Sequence, residues 1–271
     1  MKRAFIISDT HFGARSNSTE RLDEMTSRFR EDFIPKVKQH YKPGDVLIHN
    51  GDVFDNRQSI NLAVLFETIQ IFEQLSKIFV DGIYVIAGNH DVMKKSSNDI
   101  SSLDCLKHIP HIHILKSPVI YENYYRQKLF FMPRRTNEAE DVKTIEEYEF
   151  YKCDYLFCHT NIAGLRFDKN REIDHGMSIN LLKRYTRVYS GHIHWGQHIN
   201  NVTMIGNPYQ MTRSDAGNPK GWYILDFGDN SEQFFENNFS SKFIKIYLNR
   251  FLESTIEDLV TLGTNNRVDL H

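Results

Sequence analysis

A chain of 271 residues, 40% hydrophobic and 25% charged, has the make-up of an ordinary soluble globular protein and is long enough to bury a substantial core. Its formal net charge of −2 excludes a global electrostatic case for nucleic-acid binding, so any such contact has to come from local patches or bound metal. No apolar stretch approaches the roughly 20 residues that span a bilayer, and Ala4-Phe5-Ile6-Ile7 is too short for a signal-peptide core, so a cytoplasmic protein without a membrane segment is expected.

The chain opens with an apolar run from Arg3 to Ser8, a polar loop, and a helix-like stretch from about Glu20 to His40. The same order recurs. Val46 to His49 reads as a strand after the Pro43-Gly44-Asp45 turn, Ile60 to Phe79 has helical spacing, and Gly82 to Ala87 is a strand again. The second half is richer in short strands, at His111 to Leu115, Pro118 to Tyr121, Lys128 to Met132, Tyr155 to Cys158, Arg187 to Ser190, Val202 to Ile205 and Trp222 to Phe227. Strands alternating with helices predict parallel neighbours, and the strand-rich half suggests an α/β architecture of two sheets sandwiched together with helices outside. The polar break Gly228-Asp229-Asn230-Ser231 suggests a boundary, with a main domain over 1–228 and a tail or minimal capping element over 229–271.

Asp, His and Asn recur in the loops that follow the apolar runs: Asp9-Thr10-His11, Gly51-Asp52 with Asp55, Gly88-Asn89-His90-Asp91, His159-Thr160-Asn161 and Gly191-His192-Ile193-His194. In open α/β sheets that is where sites assemble. Carboxylate, imidazole and amide oxygen suit a borderline divalent metal, and the scarcity of Cys disfavours structural zinc. The donors are too many for one ion; two ions about 3.5–4 Å apart would use them, with one carboxylate bridging, as in phosphoryl transfer. Residues two apart on extended backbone point the same way, so His192 and His194 can serve one ion each. The glycines beside Asp52, Asn89 and His192 are expected to permit turns that other residues resist.

This ordered set resembles the motifs of the calcineurin-like metallophosphoesterases. The resemblance implies one ion held by Asp9, His11, Asp52 and His194, and a second held by Asp52, Asn89, His159 and His192, with manganese the expected metal. It also implies that His90 is not a ligand but a general acid, with the Asp55 carboxylate as its partner. Finer features are similar to the nuclease subunit of SbcCD-type DNA repair complexes and their phage recombination-endonuclease relatives: Asp9-Thr10-His11-Phe12-Gly13, Gly51-Asp52-Val53-Phe54-Asp55, and Gly206-Asn207-Pro208-Tyr209 leading to Lys220-Gly221. That resemblance implies a DNA exonuclease or endonuclease, with DNA and an SMC-like ABC ATPase subunit as partners. Residues 228–271 follow Phe227, and a full cap with an ATPase-docking segment is not expected to fit in them. A phosphoesterase acting on a small or protein substrate, and a DNA-end-binding scaffold, are the rival readings.

Other features have plainer explanations. Cys105, Cys153 and Cys158 form no zinc-finger spacing and read as buried apolar residues, His49 as a core histidine, His111 and His113 as a solvated strand face, and Asp91 as a loop-fixing hydrogen-bond acceptor. The apolar face of Ile60 to Phe79 reads as packed on the sheet; a homodimer face is the alternative, since the similar nucleases pair through helices hereabouts. Of the basic clusters at Lys94-Lys95, Arg134-Arg135, Arg166 to Arg171 and Arg184 to Arg187, Lys94 and Lys95 are the favoured substrate contacts because they follow the His90 loop directly.

Overall fold

Fully apolar strand runs such as Val46–His49, Ile83–Ile86 and Tyr155–His159 have no polar face to offer water, and each is buried along its whole length. The computed structural model describes residues 1–94, 97–134, 137–264 and 266–270, and places these runs in two six-stranded sheets. The first has the order Glu232–Glu236, Gly221–Asp226, Arg3–Ile7, Val46–His49, Ile83–Ile86, Ile112–Leu115, its last four strands parallel and its first two antiparallel additions. The second has the order Gln197–Ile199, Val202–Met204, Arg187–Gly191, Tyr155–His159, Lys128–Met132, Val119–Glu122, with four parallel strands between two antiparallel edges.

The two-residue period of a strand sorts the side chains into three cores. Ala4, Ile6, Ile48 and Ile86 meet Leu129, Phe131, Phe157 and Tyr189 between the sheets. Phe5, Leu47 and Val85 point the other way, against Phe29, Phe33, Ile71 and Phe72 of the helices. Phe130, Leu156 and Val188 pack on Ile145 and Leu182 beyond the second sheet. The layers are therefore helix, sheet, sheet, helix, as the strand and helix pattern predicts.

The expected helix Glu20 to His40 is three segments in succession, Thr19–Ser27, a π-helical Arg28–Phe33, and Ile34–His40. Pro35 lacks the N–H that would close an α-turn onto Glu31, and the backbone widens just before it. The helix expected over Ile60 to Phe79 spans Leu62–Ser76 and buries Val64, Thr68, Ile71, Phe72 and Leu75, while Leu62 and Phe66 are exposed.

The boundary expected after residue 228 has to be moved. Gly228-Asp229-Asn230-Ser231 is the turn of a hairpin, and Glu232–Glu236 returns as the edge strand of the first sheet. Beyond it, Phe243–Ile246 pairs in parallel with Arg267–Leu270 across the helices Leu248–Glu253 and Ile256–Gly263. Arg213 to Asp269 and Arg267 to Glu24, each 2.9 Å, tie this unit to the main body. Among the described residues, no helix is long and apolar enough to cross a membrane.

Candidate metal centre

The parallel strands of both sheets end on the same side, and their loops converge there. Asp9, His11 and His194 bring ligand atoms within 4.8 Å of one another, as do Asp52, His159 and His192, and as do His11, Asp52 and His90. Asp52 joins the groups through one atom: its Oδ2 lies 3.7 Å from His11 Nε2 and 3.3 Å from His159 Nε2. The other oxygen, Oδ1, accepts the His90 main-chain N–H at 2.8 Å. Asn89 Oδ1 completes the second group, 3.1 Å from His159 Nε2.

The imidazoles are oriented from behind. His159 Nδ1 donates to the Asn50 main-chain oxygen at 2.6 Å, and His11 Nδ1 faces Asp55 Oδ1 at 3.3 Å, which turns both Nε2 atoms toward Asp52. His194 Nε2 and His11 Nε2 point at each other 3.0 Å apart. Burial pushes both His192 and His194 down to about 3, so their rings stay neutral and keep a lone pair to offer. Burial also works against a charged His159, but the Asp52 carboxylate overrides it and lifts that ring to about 9. Burial holds Asp9 above the ordinary carboxylate range, whereas Asp52 is held well below it by His159 and His11 despite its burial. Buried carboxylates, an amide oxygen and converging imidazoles, those of His192 and His194 neutral, are a donor set that fits a pair of divalent cations.

The backbone is bent to make this set. Asp9, His11, Asp52 and His192 have φ of 51°, 46°, 54° and 84°, a region that costs a non-glycine residue about 1–3 kcal/mol. Pairing of the loops compensates: Asp9 N–H donates to Gly51 O and His11 N–H to Asp52 O, both at 3.0 Å. Asp91, fully buried, accepts the N–H groups of Asp52, Val53, Phe54 and Gly88 at 2.7–3.2 Å, so it fixes the loop as the sequence suggests. Two of the three glycines act differently from expectation. Gly51 does turn, at φ 95°, but Gly88 and Gly191 are needed for room: a Cβ there would lie 2.2 Å from Asp52 Oδ1 and from Ser8 Oγ, respectively.

The family model for the calcineurin-like phosphoesterases matches residues 2–210. The chain belongs to that family. Calcineurin-like phosphoesterases are divalent-metal hydrolases of phosphate esters, which agrees with the donor set above. Exonuclease subunit 1 of Enterobacteria phage T4 is 24% identical over 235 residues, 86% of this chain and 67% of that protein. The DNA double-strand break repair protein Mre11 of Saccharolobus solfataricus is 33% identical over 107 residues, and this match covers 37% of the chain but only 27% of the relative's length. Solved structures of similar fold include an archaeal phosphodiesterase (TM-score 0.44, 16% identity, 87% of this chain and 99% of that one) and the calcineurin-like phosphoesterase YfkN from Bacillus subtilis (TM-score 0.42, 14% identity, 86% and 88%).

Within this phosphoesterase site, one expected pairing is corrected. His90 Nδ1 meets the main-chain oxygen of Asp55, at 2.5 Å, and the Asp55 carboxylate turns to His11 instead. His90 and His11 sit edge to face with ring centroids 4.9 Å apart, so a carboxylate beside one ring is not necessarily the partner of the other. His49 donates from Nε2 to Thr10 Oγ1 at 3.1 Å and Cys158 packs in the outer core of the second sheet, as the plainer readings expect, while His113 is exposed on its strand and also stacks on Tyr84. Arg134, Arg171 and Arg184 pair with Asp141, Asp168 and Glu149, and Arg187 with Asn230, so each of these four arginines has a partner within the protein. Lys95 and Arg135 lie outside the described residues, as does the side chain of Lys94.

Sequence reasoning passed over Asn50 and the Thr160–Asp141 pair. Asn50 spans the sheets, its Nδ2 donating to Tyr189 O at 2.8 Å and Cys158 O at 3.2 Å while its own main-chain oxygen orients His159. Its position directly before Gly51-Asp52 was the available signal. Thr160 Oγ1 donates to the buried Asp141 at 2.6 Å, which braces the residue after His159 from a helix, Glu138–Glu147.

Proposed function

We propose that this phosphoesterase is a divalent-metal-dependent nuclease that hydrolyses phosphodiester bonds in DNA, in repair or recombination. The observation that carries the reading is Asp52 Oδ2 standing between two nitrogen-rich groups, 3.7 Å from His11 Nε2 and 3.3 Å from His159 Nε2. Asp9, His11, Asp52 and His194 would hold one ion and Asp52, Asn89, His159 and His192 the other, with manganese the expected metal for mixed nitrogen and oxygen donors. Two such cations supply Lewis-acid polarisation of a phosphate oxygen and a water of lowered pKa. The protein's own part falls to His90. With Nδ1 donating to Asp55 O, its Nε2 is left to hold a proton for the departing sugar oxygen. The likeness to an exonuclease subunit and to a double-strand break repair protein favours DNA over a small phosphodiester. An SMC-like ABC ATPase subunit is a proposed partner on the same likeness. A homodimer is proposed through the helix Leu62–Ser76, whose Leu62 and Phe66 are 81% and 61% exposed one turn apart.

The test is incubation of the purified chain and manganese with end-labelled single- and double-stranded DNA, beside nitrophenyl phosphodiester and monoester. Manganese-dependent DNA cleavage that chelation abolishes is the expected result. Hydrolysis of the monoester with DNA left intact makes the protein a phosphatase instead, and DNA binding without cleavage of any substrate makes it a scaffold.

A further inference from the structure

Between the strands Val202–Met204 and Gly221–Asp226 runs a segment with no candidate ligand, yet two of its side chains, Lys220 and Asn218, bond to the loop that carries His194, and a third, Asp215, braces Lys220. Lys220 is buried at 4% exposure, and its Nζ donates to the His194 main-chain oxygen at 2.6 Å and to Asp215 Oδ1 at 2.7 Å. Asp215 is anchored in turn by the N–H groups of Met211 and Thr212, at 2.9 and 2.8 Å. Asn218 grips the residue two beyond His194 on both sides: Gly196 N–H donates to its Oδ1 and its Nδ2 donates to Gly196 O, each at 2.9 Å.

A buried ammonium is costly unless its hydrogens are matched, so this placement restricts where the His194 carbonyl can sit. Residues 192–196 form neither helix nor strand, and no regular structure fixes the imidazole of His194. His192 is held separately. It follows directly on Arg187–Gly191, and its N–H donates to both oxygens of Asp9 at 3.1 Å.

We propose that Lys220 and Asn218 are positioning residues that hold His194 in place beside Asp9 and His11, and so set the affinity of that ion and not of the one on Asp52, Asn89, His159 and His192. The inference rests on the two-ion reading of the site but not on DNA as the substrate. It is tested by manganese titration calorimetry and electron paramagnetic resonance on the full chain, as wild type, Lys220→Met and Asn218→Ala, with melting curves of the metal-free proteins alongside. The expected result is that one of two ions binds about 10–100-fold more weakly in each variant while the other is unchanged. The resonance spectrum should then pass from a coupled pair to an isolated manganese. A merely structural role would weaken both ions together with the melting temperature, and that outcome overturns the proposal, as does wild-type binding of both ions in folded variants. Should Lys220→Met fail to fold because Asp215 is left unpaired, Asn218→Ala, which leaves no buried charge, decides alone. A wild-type chain that takes up no manganese defeats the two-ion reading itself and this inference with it.

Discussion

The Asp55 carboxylate stands 3.3 Å from His11 Nδ1, while the Asp55 main-chain oxygen stands 2.5 Å from His90 Nδ1. One residue thus orients two imidazoles through different atoms, and a substitution separates them. Asp55→Asn removes the negative charge behind His11 and keeps the carbonyl that holds His90. Manganese affinity should fall about 10–100-fold, and DNA cleavage should return toward wild type when manganese is raised to saturation. Calorimetry and the metal dependence of the rate measure this. Wild-type affinity with a slowed rate at saturation would restore the carboxylate–His90 pairing that the sequence suggests.

His90 itself should behave as a source of a proton. His90→Asn is expected to bind both ions and DNA nearly normally and to cleave DNA about 10²–10⁴ times more slowly. The defect should shrink on a nitrophenyl phosphodiester, because a stable phenolate needs little protonation as it leaves. Since His90 also lies within ligand distance of His11 and Asp52, the decisive control is metal content. A missing ion in the variant makes His90 a ligand and removes it from proton transfer.

Asp52 touches both groups through one oxygen, whereas Asp9 belongs to one of them. Asp52→Ala should therefore weaken both ions, and Asp9→Ala one. Elemental analysis of each variant after equilibration in manganese gives the stoichiometry. Two fully occupied ions in Asp52→Ala would exclude the bridging role.

The architecture was legible because its strands are unusually plain. Runs such as Val46–His49 and Tyr155–His159 are buried on both faces, so their apolarity is continuous, and each ends in the residues that build the site. What escaped notice was polar or nonlocal. Glu138–Glu147 carries five acidic residues and buries little beyond Ile145 and Asp141, so it offers a weak apolar stripe. The hairpin turn at 228–231 has the composition of a linker, and it is the pairing of Gly221–Asp226 with Glu232–Glu236, with Trp222 and Phe235 rings stacked at 4.2 Å, that shows the sheet continuing beyond it. The partners of Asp55, Asn50 and Lys220 depend on main-chain carbonyls, which no residue type advertises.

Substrate binding on a chain of net charge −2 has to be local, and Lys94 with Lys95 follows the His90 loop directly. DNA affinity should fall steeply with salt. Replacing both lysines by Ala should lower the affinity and also flatten the plot of log affinity against log salt, by about one unit of slope for each phosphate that the pair neutralises. Fluorescence anisotropy over a salt series reads both quantities. An unaltered slope moves the DNA path to another face.

His49 makes the metal-free protein sensitive to acid. It is buried at 2% exposure, with Nε2 donating to Thr10 Oγ1, which donates onward to Val53 O. Burial, and then the nearby charge of His159, pushes it down to about 3. In the unfolded chain the same ring takes a proton near 6.5. Between these values the unfolded state binds a proton that the folded state refuses. The contribution of His49 is therefore fully present above about pH 6.5 and is lost as pH falls toward 3, at about 1.4 kcal/mol per pH unit for one proton. His192 and His194 act in the same direction, and His159, raised to about 9, acts oppositely at higher pH. The share of His49 is isolated by difference. His49→Gln keeps a donor for Thr10 but cannot titrate, so in chelator its stability should fall less steeply than wild type between pH 6.5 and pH 5. Urea unfolding at a series of pH values measures the two slopes, and parallel slopes would show that His49 is charged, or free to charge, in the folded protein.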